Sequence, residues 1–186
     1  MKLSLKTTAT AMALLFSAGA FAVPSTLPIQ LQWQGVIPLT PSTTGAWKYV
    51  NPVTGADYVA SMGVLNISGG AAKRVIPTPT QIGLQTTTGG IFTASTDIKA
   101  FLAADPTYVG LTGTTAPAAP TMSVNGVALT VGAANSVTVG TTSAAPGAPD
   151  IIPLTVTGDG QLAAGTYNDG DAVILTTSLM ITADVT

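Results

Sequence analysis

The stretch Leu27-Pro28-Ile29-Gln30-Leu31-Gln32-Trp33 decides how this chain is read. Leu27, Ile29, Leu31 and Trp33 alternate with Pro28, Gln30 and Gln32, the period-two pattern of a strand with one apolar face. Full burial of four such side chains is worth about 6–12 kcal/mol, comparable with the roughly 5–15 kcal/mol net stability of a whole domain. A fold that uses this strand therefore depends on it. Two readings follow: the strand is the first of its own sheet, or it completes the sheet of a neighbouring copy.

The residues before it point to export. Lys2 and Lys6 form a positive start, Ala9 to Ala20 is apolar or small, and Ala20-Phe21-Ala22 has the form of a cleavage site. Residues 1–22 are read as a signal peptide and Val23 as the start of the mature chain, the apolar run being too short to span a bilayer. Residues 23–34 then form an N-terminal extension and residues 35–186 a single domain.

Loss of Lys2 and Lys6 leaves Lys48, Lys73, Arg74 and Lys99 against eight aspartates, a net charge of −4. Such a sparse acidic charge offers nothing to nucleic acid or to an anionic membrane. Cysteine is absent, so no disulfide staples the fold. Only 8% of residues are charged, against about 25% in a common soluble domain, which suggests a surface that other molecules cover. Histidine, cysteine and glutamate are all missing, which removes the usual general bases, thiol nucleophiles and zinc ligands. The chain is read as a non-enzyme without a cofactor. Asp159, Asp169 and Asp171 sit in Asp-Gly turns that resemble fragments of calcium loops, without the full spacing or the closing glutamate.

High Thr, Val, Ala and Gly content favours strands and turns. Ser42 to Tyr58 reads as a loop in which Trp47 and Tyr49 cap the core, and Val59 to Ser68 as a core strand ended by Gly69-Gly70. Lys73-Arg74 reads as a solvated strand end, and Gln81 to Ala94 as two short strands around Gly89-Gly90. Ile98, Phe101 and Leu102 recur at helical spacing behind the capping residues Ser95 and Thr96, so Thr96 to Ala104 is predicted as a short helix. Asn125-Gly126 between two strand-like arms predicts a type I′ hairpin. The Ala/Pro segments Gly113 to Pro120 and Gly140 to Pro149 read as similar exposed loops. Ala172 to Val185 is predicted as one long strand, with Val173, Leu175, Leu179 and Ile181 on one face and Thr177 as the only polar residue in that row.

In this order of parts the chain resembles a structural pilin of the chaperone–usher class, and its lack of cysteine makes it similar to colonisation-factor-like fimbrial subunits. The residues that carry the resemblance are the leader, Leu27 to Trp33, the Asn125-Gly126 hairpin, and Leu162-Ala163-Ala164-Gly165-Thr166-Tyr167 ahead of a terminal strand. The resemblance implies an all-β fold, an incomplete immunoglobulin-like β-sandwich completed by donor-strand exchange. It implies that Leu27, Ile29, Leu31 and Trp33 fill a groove, and that Val173, Leu175, Leu179 and Ile181 line the acceptor edge. The implied partners are identical pilin subunits in a head-to-tail homopolymer, a periplasmic chaperone, an outer-membrane usher and a host-cell receptor. The implied location is the fimbrium on the bacterial surface. The alternative function is a secreted adhesin or tip subunit that binds a host glycan or protein directly.

Overall fold

The computed structural model describes residues 47–60 and 62–183, all strands and turns apart from one 3-10 turn at Ala133–Asn135. The expected leader, the extension carrying Leu27, Ile29, Leu31 and Trp33, and Val185 lie outside the described residues. Twelve strands follow in order: β1 (Trp47–Val50), β2 (Leu65–Ser68), β3 (Lys73–Pro77), β4 (Thr80–Thr86), β5 (Asp97–Leu102), β6 (Thr107–Val109), β7 (Thr121–Val124), β8 (Val127–Ala128), β9 (Val137–Thr141), β10 (Ile151–Leu162), β11 (Ile174–Thr176) and β12 (Leu179–Ala183).

The twelve-residue β10 organises the large sheet. Its first half pairs antiparallel with β4, from Ile151 opposite Gln85 to Val156 opposite Thr80, and its end pairs with β3, from Gly160 opposite Val75 to Leu162 opposite Lys73. β3 and β4 thus follow one another along β10, interrupted only by Thr78 and Pro79. β1 pairs with β4, β2 with β3, and the β7–β8 hairpin joins β10 at Val156 to Asp159. A three-stranded sheet runs β12-β5-β9, and among the described residues β11 pairs with β6 alone. The fold is all-β, and among the described residues every pairing between the named strands is antiparallel.

One apolar cluster is shared by the large and the three-stranded sheets. Leu84, Met122, Val124 and Leu154 come from the first, and Ile98, Ala100, Leu102, Val139 and Ile181 from the second. Phe92, on the connection between β4 and β5, is fully buried among them. At the Asn125-Gly126 turn both residues have positive φ, 49° and 81°, the backbone that a type I′ hairpin requires.

Several expectations are corrected. Thr96 to Ala104 is not helical: Ile98, Ala100 and Leu102 point inward on β5 while Asp97 and Lys99 point to solvent. Gln81 to Ala94 holds one strand, not two, because the chain after Thr86 turns to seat Phe92. Trp47 and Tyr49 lie on a strand and not in a loop; they are half-buried, pack against the core and meet edge to face with ring centroids 5.2 Å apart. Val59 to Ser68 is not a core strand, since Val59, Met62, Val64 and Ile67 are all exposed and β2 is an edge strand. The C-terminal stretch is two strands, because Thr177 and Ser178 carry the chain from the partner β6 to the partner β5.

Candidate functional site

A cleft of about 590 Å³ opens between β2 and β11. Leu65 and Ile67 on β2, with Met62 ahead of it, line one side; Val173, Leu175 and Thr177 line the other. Met122 and Val156 also border the cleft, which connects it to the core cluster. Met62 is 49% and Ile67 46% exposed, so apolar surface here meets solvent. Among the described residues, the two strands that flank the cleft have one partner each, β3 for β2 and β6 for β11. Each therefore presents an open backbone edge, the kind of surface that pairs with an added strand. Residues 173 to 177 all border the cleft, with side chains from both faces of β11, as when a cleft runs along a strand's open edge.

Among the expected acceptor residues, Val173 and Leu175 line this cleft. Leu179 and Ile181 lie instead on β12, where Ile181 is buried in the core and Leu179 packs against it. Among the described residues β12 is also an edge strand, paired only with β5. Sequence reading missed the β2 wall, because Leu65 and Ile67 carry the same alternation as a buried strand. The Pro77-Thr78-Pro79 break beside it was the available signal that pairing ends there.

A stitched loop sets the position of β11. The Asp171 carboxylate accepts the Thr112 N–H at 2.8 Å, the Thr112 hydroxyl at 2.7 Å and the Asn168 N–H at 2.8 Å. The Asn168 side-chain amide returns to the Thr112 carbonyl at 3.0 Å. These bonds, first that from Asn168 and then those from Thr112, hold the Asp171 carboxyl below the usual carboxylate range. Gly110 has φ +91°, and a Cβ there would run into the Ala172 carbonyl; a Cβ on Gly113 would meet the backbone of Gly165 and Thr166. Only glycine permits these approaches, which bring Ala172 alongside β6 and start β11. On the opposite side the Tyr167 hydroxyl donates to the Ala71 carbonyl at 2.9 Å, and the Lys73 ammonium lies 5.7 Å from the Tyr167 ring centroid. The loop from Ala163 to Asp171 is thereby tied both to the segment that follows β6 and to the β2–β3 turn.

Lys73-Arg74 is engaged and not merely solvated, since the Arg74 guanidinium holds both oxygens of Asp159 at 3.1 and 2.7 Å. That hydrogen bonding lowers the Asp159 carboxyl. Asp159 and Asp171 are thus committed to separate partners. Among the described residues no group of three or more His, Cys, Asp or Glu could hold a metal ion, and no helix is long and apolar enough to cross a membrane. No protein-family model matches the chain, and no curated protein matches it.

Proposed function

We propose that this chain is a structural subunit of an adhesive surface pilus of the chaperone–usher type, an immunoglobulin-like β-sandwich that lacks a strand and receives it from the next subunit. The observation that carries the reading is the cleft between β2 and β11, bounded by two open strand edges and lined by exposed Met62 and Ile67 with Val173 and Leu175. An alternating segment such as Leu27 to Trp33 has the chemistry to enter it: apolar side chains every second residue and a backbone free to pair. The polymer would then be joined by completion of each subunit's core and would withstand conditions that separate ordinary surface contacts. A periplasmic chaperone would cover the same cleft before assembly, and an outer-membrane usher would exchange the two strands.

The test is a thermal melt of a chain starting at Gly35, with and without a synthetic peptide spanning Val23 to Gln34. The expected result is a large rise in Tm on adding the peptide, abolished when Ile29 and Leu31 of the peptide are changed to Asp. An already stable truncated chain that ignores the peptide would overturn the proposal and direct attention to glycan binding by a free-standing adhesin.

A further inference from the structure

Thr177 carries a hydroxyl that is buried and has no hydrogen-bond partner, at a position that lines the cleft. Buried polar atoms are nearly always paired, so an orphan of this kind calls for an explanation. It is also the polar member of the alternating set Val173, Leu175 and Thr177 that borders the cleft on this side. Valine has almost the same shape and would suit an apolar row without leaving a polar atom unpaired. The hydroxyl is therefore a feature that the isolated domain does not use.

Resting on the donor-strand reading above, we infer that Thr177 sets the register of the inserted strand by accepting a hydrogen bond from the indole N–H of Trp33 of a second copy. The backbone of an added strand is satisfied by the open edge, so the partner of a side-chain hydroxyl must come from the facing row of side chains. That row is Leu27, Ile29, Leu31 and Trp33, and only Trp33 has a polar atom. A buried indole in turn needs an acceptor for its N–H, and Thr177 borders the cleft with a hydroxyl that rotation about χ1 can redirect. One register, with the donor parallel to β11, brings the two together and sets Leu31 and Ile29 beside Leu175 and Val173. A slide of two residues keeps the apolar face inward but leaves both polar atoms unpaired, and so a row that is otherwise uniformly apolar acquires a single preferred alignment.

The experiment is a double-mutant cycle on the full chain as exported, beginning at Val23, with assembly followed by sedimentation velocity. Trp33→Phe keeps the aromatic side chain and removes the N–H; Thr177→Val keeps the shape and removes the hydroxyl. Each single variant is expected to weaken assembly by about three- to tenfold, and the double variant no further than either single. In an assembly-deficient Ile29→Asp, Leu31→Asp background, Thr177→Val is expected to raise the Tm of the monomer, because the orphan hydroxyl is gone; a merely structural threonine would not strengthen the fold while weakening assembly. Should assembly of the parent chain depend on Ile29 and Leu31 while the two single effects are absent or simply add, the pairing is overturned and the donor-strand reading stands. Should the parent chain not assemble, or assemble equally well with Asp at both positions, both are overturned.

Discussion

Asn125 donates its side-chain amide to the carbonyl of Val139 at 2.8 Å, and Val139 is the residue that the β5–β9 register skips. Ile98 faces Gly140 and Lys99 faces Thr138, so Val139 forms a bulge whose carbonyl the turn residue takes up. The other end of the Asn125 side chain accepts the Thr155 N–H on β10 at 2.8 Å. One turn residue therefore ties the three-stranded sheet to the large one, beyond its role in the hairpin.

Asn125→Ala removes both bonds and places a Cβ-bearing residue without local hydrogen bonding at φ 49°. The expected loss is about 2–4 kcal/mol, from two unpaired backbone groups and the left-handed backbone. Asn125→Gly relieves the backbone but not the lost bonds, and should fall between the two. Urea unfolding of the three chains checks the order.

That hairpin was legible in the sequence because Asn-Gly states a backbone requirement that no tertiary contact needs to supply. β5 was not, for the opposite reason. Ile98, Phe101 and Leu102 fit a helical period, whereas the inward row on β5 is Ile98, Ala100, Leu102, and Ala100 is too small to reveal the alternation. Tertiary packing decided between the two periods. The alternation of the C-terminal stretch was also readable, with Leu175, Leu179, Ile181 and Ala183 all facing the core. Its division at Thr177-Ser178 was not, since a change of partner strand leaves no local mark. Half of the candidate site, Val173 and Leu175, could be named in advance; the β2 half could not, because an apolar edge strand and a buried strand share one pattern.

Phe92 tests how far a residue outside any strand supports the core. It is fully buried among Leu84, Ile98 and their neighbours although the chain around it is turn. Phe92→Ala should cost about 3–5 kcal/mol, as much as truncation of a central strand residue, and equilibrium urea denaturation measures it directly.

Gly110→Ala addresses the placement of β11. The new methyl would collide with the Ala172 carbonyl at a φ of +91° that alanine rarely adopts, so β6 and β11 must separate. The expected result is rapid exchange of those β11 amides that bond β6, with protection in β4 and β10 retained. Gly126→Ala, which meets no atom within 4 Å of its Cβ, should leave the exchange of β11 unchanged.

Asp171 makes the same connection sensitive to acid. Its folded-state carboxyl lies below the usual range, so its contribution to stability is present above the unfolded-state value of about 4 and is lost as pH falls through the folded-state value. Asp171→Asn should lower Tm at neutral pH, and the gap from the parent should narrow steadily on acidification below about pH 4. Asp159, lowered by its hydrogen bonds to Arg74, titrates in the same region in both chains and cancels in the comparison. A gap that stays constant from neutral to strongly acidic pH would show that the charge on Asp171 is not what holds the loop.

Ile67 and Val75 stand opposite each other on β2 and β3, yet Val75 is fully buried and Ile67 is not. The apolar face of the large sheet thus runs outward from the core and ends at the cleft, uncovered among the described residues. Polar substitution of the two residues should separate folding from assembly. Val75→Asp places a charge in the core and should prevent folding. Ile67→Asp changes an exposed position, with an expected effect on the Tm of the single domain within about 0.5 kcal/mol, and should abolish assembly, because an inserted apolar row would meet a carboxylate. Circular dichroism melts beside sedimentation velocity provide both readouts, and an Ile67→Asp chain that assembles like the parent would remove β2 from the interface.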